Sequence, residues 1–158
     1  AGGGLDPGTA MLLSVLAARR PRAPVLDFGC GPGVLSAGLR QRFKTVAIDG
    51  LDSDSLAVEA YRENMPDSSA FVSDAWSGLP GDRRYGWIVS NPPIHAGRSE
   101  DMGVLAGLVS GARSRLRRRG ELWLVVQRQL PVQKLLSDSF SSFSAVRKDS
   151  RYWVWRAS

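Results

Sequence analysis

Three glycines, Gly29, Gly31 and Gly33, stand between an apolar segment, Val25 and Leu26, and a helical run from Val34 to Arg40. A strand that passes through so tight a turn into a helix lets backbone amides approach a bound group closely, because no side chain stands in the way. The rest of the chain repeats that alternation. Apolar segments predict strands over 25–28, 45–51, 70–72, 86–90 and 121–127, with helices over 34–43, 55–64 and 99–118 between them. The last of these helices is expected to stop at Gly120, with Arg115, Arg117, Arg118 and Arg119 in its final turn. A helix over 7–19, capped by Asp6 or Thr9, precedes the first strand. A short helix follows Pro131, and segments 142–147 and 151–156 are spaced to pair as an antiparallel hairpin. The pattern predicts an α/β architecture: a mostly parallel sheet with helices on both faces.

A chain of 158 residues is enough for one domain with a substantial core. Its only cysteine is Cys30 and its only histidine is His95, so an intrachain disulfide is excluded and a His/Cys metal site lacks ligands. No metal is expected, and Cys30 is read as an ordinary loop residue. No apolar run approaches the roughly 20 residues that span a bilayer. Ala1-Gly2-Gly3-Gly4 has no signal-peptide pattern. A reducing compartment, cytoplasmic or organellar, is the expectation. The chain starts without methionine, so a longer protein with a further N-terminal domain stays open. The formal charge of +6 suits a polyanion, nucleic acid foremost, against the alternative of a merely solvated surface.

The glycine spacing is G-x-G-x-G; the dinucleotide fingerprint needs G-x-G-x-x-G, and Val34 occupies its last position. A nucleoside ligand is still indicated. Asp52, about twenty residues past the loop, is placed to accept from ribose hydroxyls. Asp49 falls inside the strand, and Asp54 is expected near a helix cap. Asp74 follows the third strand, where it could accept from an adenine amino group, and Asp27 could orient the loop or meet a ligand's ammonium group. A second polar segment, Ser90-Asn91-Pro92-Pro93-Ile94-His95, ends the apolar strand Trp87-Ile88-Val89. Its prolines fix φ and remove N–H donors, which turns free carbonyls towards a cleft.

Together these segments resemble the class I S-adenosylmethionine-dependent methyltransferases of the "methyltransferase small" type, most of all the catalytic half of bacterial enzymes that methylate guanine N2 in small-subunit ribosomal RNA. Leu5-Asp6 with Gly8-Thr9 and Leu12-Leu13 resembles that family's opening segment; Ala57 to Ala60, Gly120-Glu121-Leu122, Leu130-Pro131 and Arg151 to Arg156 resemble its later parts. The resemblance implies a Rossmann-like, doubly wound, seven-stranded sheet with an antiparallel C-terminal hairpin, and one methyltransferase domain over 1–158. It also implies S-adenosyl-L-methionine as cofactor, with Asp6, Thr9, Asp27, Gly29, Gly31, Gly33, Asp52, Asp74 and Asn91 around it. Asn91 and Pro92 are the implied catalytic residues, and Pro93, Ile94 and His95 would meet the substrate. The family has an aromatic residue where this chain has Ile94 and an acidic one where it has Ala96.

The implied reaction moves a methyl group from a sulfonium to an exocyclic amine of RNA, an in-line displacement that depends on positioning. The Asn91 Oδ1 and the Pro92 carbonyl would accept the two amine N–H groups, and a target base within a stem would have to leave its stack. Two alternatives remain at this stage. One is a degenerate relative that binds ribosomal RNA or an assembly partner without turnover, suggested by Ile94 and Ala96. The other is a methyltransferase for a protein glutamine amide. Arg113 to Arg119, and Arg19, Arg20 and Arg22, could grip phosphates or simply stay solvated. Trp153 and Trp155 share one face of the last strand, Tyr152 and Val154 the other, and one face must lie on the core.

Overall fold

A computed structural model describes residues 5–94 and 98–158. Its elements, in chain order, are α1 (Pro7–Ala17), β1 (Val25–Phe28), α2 (Val34–Arg42), β2 (Ile48–Asp52), α3 (Ser55–Asn64), β3 (Ala70–Val72), β4 (Tyr85–Ser90), α4 (Ser99–Arg115), β5 (Leu116–Gln127), α5 (Val132–Ser139), β6 (Phe143–Lys148) and β7 (Tyr152–Ala157). The seven strands form one sheet in the order β3-β2-β1-β4-β5-β7-β6. Pairing is parallel from β3 to β5; β7 runs antiparallel to both β5 and β6. The expected doubly wound sheet with its antiparallel hairpin is therefore the observed one.

The strand order reverses direction between β1 and β4, and in such sheets ligands bind beyond the carboxyl ends of the strands at that point. Alternate residues divide the core into two layers. Val25, Ile48, Trp87, Val89, Trp123, Val125 and Val154 pack with α1 and α2. On the other face Leu26, Ile88, Leu122 and Leu124 pack with α4 and α5. The last strand obeys the same division: Val154 is buried with the first layer, Trp155 with the second, and Tyr152 and Trp153 are each half-buried against their own layer. Core packing accounts for both pairs, and no exposed tryptophan platform forms.

The helix expected over 99–118 ends at Arg115, and Gly120 does not stop it. Leu116 is buried and pairs with Tyr85, so the chain leaves the helix early to extend the parallel sheet. The register then shifts between Tyr85 and Trp87, and Arg119 takes the left-handed φ of 65° that the irregularity demands. Arg117, Arg118 and Arg119 are thus exposed strand-edge residues, while only Arg113 and Arg115 occupy the helix's last turn. Similarly β2 begins at Ile48 rather than 45, and α1 ends at Ala17 rather than 19.

Asp27 is the one charged residue in β1 and is 2% exposed. It accepts from Ser36 Oγ at 2.7 Å, and Ser36 Oγ in turn accepts from Tyr61 Oη at 3.0 Å, tying β1, α2 and α3 beneath the glycine turn. Burial pushes the Asp27 carboxyl up to about 7, against the lowering effect of the Ser36 bonds; the nearby Asp52 charge adds to the rise. The native state therefore keeps this proton to higher pH than the unfolded chain. The group's contribution to stability is greatest below pH 4, declines as the pH rises through 7 and is flat above. In urea unfolding from pH 4 to 8, Asp27→Asn is expected to remove a decline on the order of a few kcal/mol. Equal slopes for both proteins would show that Asp27 is not protonated in the native state.

The same layer leaves no room at Gly50. A Cβ there would lie 2.7 Å from Tyr61 Cζ and 2.9 Å from Cys30 Sγ. Tyr61 is wholly buried, so its ring cannot swing away. Gly50→Ala is expected to cost about 1–3 kcal/mol by overpacking, read as a lowered midpoint in thermal unfolding; an unchanged midpoint would mean that the loop layer is loosely packed.

Candidate functional site

The glycine turn is built by φ values that side chains disfavour: Gly29, Gly31 and Gly33 all lie at positive φ. Gly33 caps α2 in the left-handed conformation, which directs the start of the helix at the space above β1. Two bonds hold the turn to the end of β2, from the Gly29 and Cys30 N–H groups to the Leu51 carbonyl. A third comes from Asp52, whose Oδ2 accepts from Gly31 N at 2.9 Å. Its Oδ1 accepts from Asp54 N at 2.9 Å, and Asp54 itself caps α3 by accepting from Leu56 N. Asp52 thus stands at the last position of β2, half-buried, with lone pairs left on both oxygens.

These residues wall a cavity of about 410 Å³ lined by Phe28, Gly29, Asp52, Asp74, Pro93 and Val104, among others. That size suits a nucleoside-sized ligand. The sequence-predicted Gly29, Asp52 and Asp74 meet here, whereas Asp27 lies under the turn, facing Ser36. Cys30 is buried, and burial raises its thiol well above the ordinary range, which keeps it uncharged and a poor nucleophile. Glu100, Gly103 and Gly107 of α4 also line this cavity and carried no signal in the sequence; α4 lies against the loop after β3, where Trp76 Nε1 donates to the Gly107 carbonyl at 3.0 Å.

A second cavity of about 310 Å³ is lined by Asp6, Asn91, Pro92, Pro93, Ile94, Val125, Val126, Gln127 and Tyr152. Pro93 belongs to both cavities, and a Cβ placed on Gly29 would lie 4.0 Å from its ring. Ser90 Oγ ties the two segments together by donating to the Phe28 carbonyl at 2.7 Å. Asp6, which caps α1 by accepting from Thr9 N, also accepts from Asn91 Nδ2 at 2.8 Å, and Thr9 Oγ1 accepts from it at 2.9 Å. A carboxylate only accepts, so this pair fixes the amide's orientation and leaves Oδ1 as the acceptor that Asn91 presents to its cavity. The Pro92 carbonyl accepts from Ile94 N at 2.8 Å and retains one lone pair. Ile94 is 7% exposed and packs in the α4/α5 layer, so it offers no free-standing flat face. His95 and Ala96 lie outside the described residues. Among the described residues, no group of three or more His, Cys, Asp or Glu converges as a metal site.

The arrangement offers three carboxylates, Asp52, Asp74 and Glu100, for hydroxyl or amino donors in one cavity, and an oriented amide oxygen with a carbonyl in the next. Known proteins share this frame. Ribosomal RNA small subunit methyltransferase C of Actinobacillus pleuropneumoniae serotype 7 is 37% identical over 97% of this chain and 47% of its own length. The protein of the same name from Salmonella paratyphi B is 35% identical over 97% and 45%. The solved structure of T. thermophilus 16S rRNA N2 G1207 methyltransferase (RsmC), in complex with AdoMet and guanosine, superposes with a TM-score of 0.85 at 29% identity. It covers 99% of this chain and 44% of that one. The chain therefore spans about half the length of the curated relatives it matches. Residues 1–156 match the methyltransferase small domain, and the chain belongs to that family.

Proposed function

We propose that residues 1–158 act as the catalytic domain of an S-adenosylmethionine-dependent RNA methyltransferase whose target is an exocyclic amine, guanine N2 in small-subunit ribosomal RNA. The observation that carries this reading is the Asn91 amide, oriented by Asp6 and Thr9 at the point where two cavities meet. The solved RsmC complex, with AdoMet and guanosine bound to one protein of the same fold, supports a nucleoside in each.

When bound, S-adenosylmethionine supplies an electrophilic methyl group on a sulfonium. Asp52 would hold the ribose hydroxyls through its remaining lone pairs, while its bonds to Gly31 and Asp54 keep it in place. Asp74, which lines the same cavity, would accept from the adenine amino group. In the second cavity Asn91 Oδ1 and the Pro92 carbonyl accept the two N–H bonds of the target amine. The amine lone pair is thereby turned out of conjugation with the ring, and the positive charge that develops on nitrogen meets two oxygen dipoles. Pro93 lines both cavities, and Ile94 would support the base from the core side.

The reading of a non-catalytic RNA-binding relative has one observation in its favour, the buried Ile94 where the family carries an aromatic residue. Calorimetry separates the two. Asp52→Ala is expected to weaken S-adenosylmethionine binding roughly 10- to 100-fold, as loss of charge-assisted hydrogen bonds does. Absence of binding by the folded wild-type chain would favour the scaffold. In methyl transfer to 16S rRNA or the small subunit, Asn91→Ala is expected to lower kcat by about 10²–10³ with the cofactor Kd little changed. Undiminished turnover would remove Asn91 from the mechanism.

A further inference from the structure

Beyond the Asn-Pro-Pro cavity the cleft does not end. A third cavity of about 320 Å³, lined by Gln127, Arg128, Gln129, Ser150, Arg151 and Tyr152, shares Gln127 and Tyr152 with the second. The three cavities thus lie side by side along the carboxyl ends of β1 to β5 and the start of β7, the first two sharing Pro93 and the last two sharing Gln127 and Tyr152. We propose that the third cavity binds the sugar-phosphate backbone of single-stranded RNA next to the target nucleotide, with Arg128 and Arg151 on the phosphodiester. This deepens the RNA methyltransferase reading and rests on it.

The chemistry of the lining fits that ligand. Two guanidiniums, two amides and the hydroxyls of Ser150 and Tyr152 give donors for phosphate and 2′-hydroxyl oxygens. The backbone beneath them is fixed: Gln127 pairs with Tyr152 across the antiparallel ladder, and Arg128 N donates to the Arg151 carbonyl at 2.9 Å. Asp149 is the acid closest in sequence, but its Oδ1 accepts from Arg151 N at 2.7 Å and Tyr152 N at 2.6 Å. Those two bonds, Tyr152 first, lower its pKa, and the Arg151 charge adds to the lowering; the carboxylate accepts from the backbone of the turn and forms no ion pair with the guanidinium. Among the described residues neither Arg128 nor Arg151 forms an ion pair, in contrast to Arg22, Arg40, Arg83 and Arg156. The Arg151 guanidinium lies over the Tyr152 ring, 5.2 Å from its centroid, which aims it along the border with the second cavity. A base held at Asn91 brings its flanking phosphates towards this border, and two cations there, Arg151 held over Tyr152 and Arg128 beside it, would set the strand's direction through the cleft.

The test compares wild type with Arg128→Ala/Arg151→Ala, and with Arg113→Ala/Arg117→Ala as a control that removes the same charge elsewhere. Fluorescence anisotropy with a labelled single-stranded oligonucleotide of the target sequence is measured over a salt series, with S-adenosylmethionine calorimetry alongside. The cavity double variant is expected to bind RNA roughly tenfold more weakly. Its salt slope should be smaller by about 1.4, which is 0.7 for each lost contact. Cofactor affinity should be unchanged, and Arg128→Lys/Arg151→Lys should restore most of the RNA affinity. Equal losses in the cavity variant and the control, or no loss in either while wild type binds RNA, would overturn the subsite and leave the methyltransferase reading standing. If wild type binds cofactor but no RNA, the RNA reading itself falls, and this subsite with it.

Discussion

Parallel pairing of β1 between β2 and β4 is the constraint on which everything else depends. Parallel strands finish at the same edge, so three loops far apart in sequence, after Phe28, Asp52 and Ser90, must open side by side. The hydrogen bond from Ser90 Oγ to the Phe28 carbonyl closes that edge, and the bonds from the glycine turn to Leu51 and Asp52 close its other side. The site is a consequence of this pairing rather than an addition to it. An antiparallel neighbour at β1 would have sent one of the loops to the opposite end.

Asp6 and Asp52 at this edge each carry structural bonds and keep lone pairs over. Asp6 caps α1 and orients Asn91; Asp52 holds the Gly31 amide and the Asp54 amide. Asp27 is the exception, committed inward to Ser36 and pushed towards neutrality by burial. That division limits the repulsion between acids crowded around one turn, since the deepest of them need not be charged at neutral pH. It also pre-organises the rim, because the oxygens that would meet ligand are held before any ligand arrives.

Much of this was legible in the chain. The glycine turn after Val25 and Leu26, the acid at the end of the next strand and the Asn-Pro-Pro segment all follow from short-range rules about turns, strand ends and proline. The boundary at Arg115 was not, because Arg117 to Arg119 read as a helix's basic last turn until Leu116 is seen to pair with Tyr85. Nor could the partner of Asn91 be named, since Asp6 lies at the other end of the half-sheet in sequence. The walls contributed by Val125, Gln127 and Tyr152 are a tertiary fact of the same kind: β5 must lie beside β4, and β7 beside β5, before those side chains reach the cavity.

The surplus of positive charge has two locations with different physical reach. Arg19, Arg20, Arg22, Arg83, Arg84 and Arg117 to Arg119 precede strand starts or form the opening of β5, and so sit at the amino edge of the sheet. Glu121, buried there, accepts from Trp87 Nε1 and pairs with Arg22 and Arg156. A strand of five or six residues runs about 17–20 Å, more than twice the ~8 Å screening length at physiological salt. Charges at that edge can draw a polyanion to the protein, but at the cleft their field is largely screened. Orientation of a strand in the cleft must come from cations beside it, and Arg128 and Arg151 stand at that border.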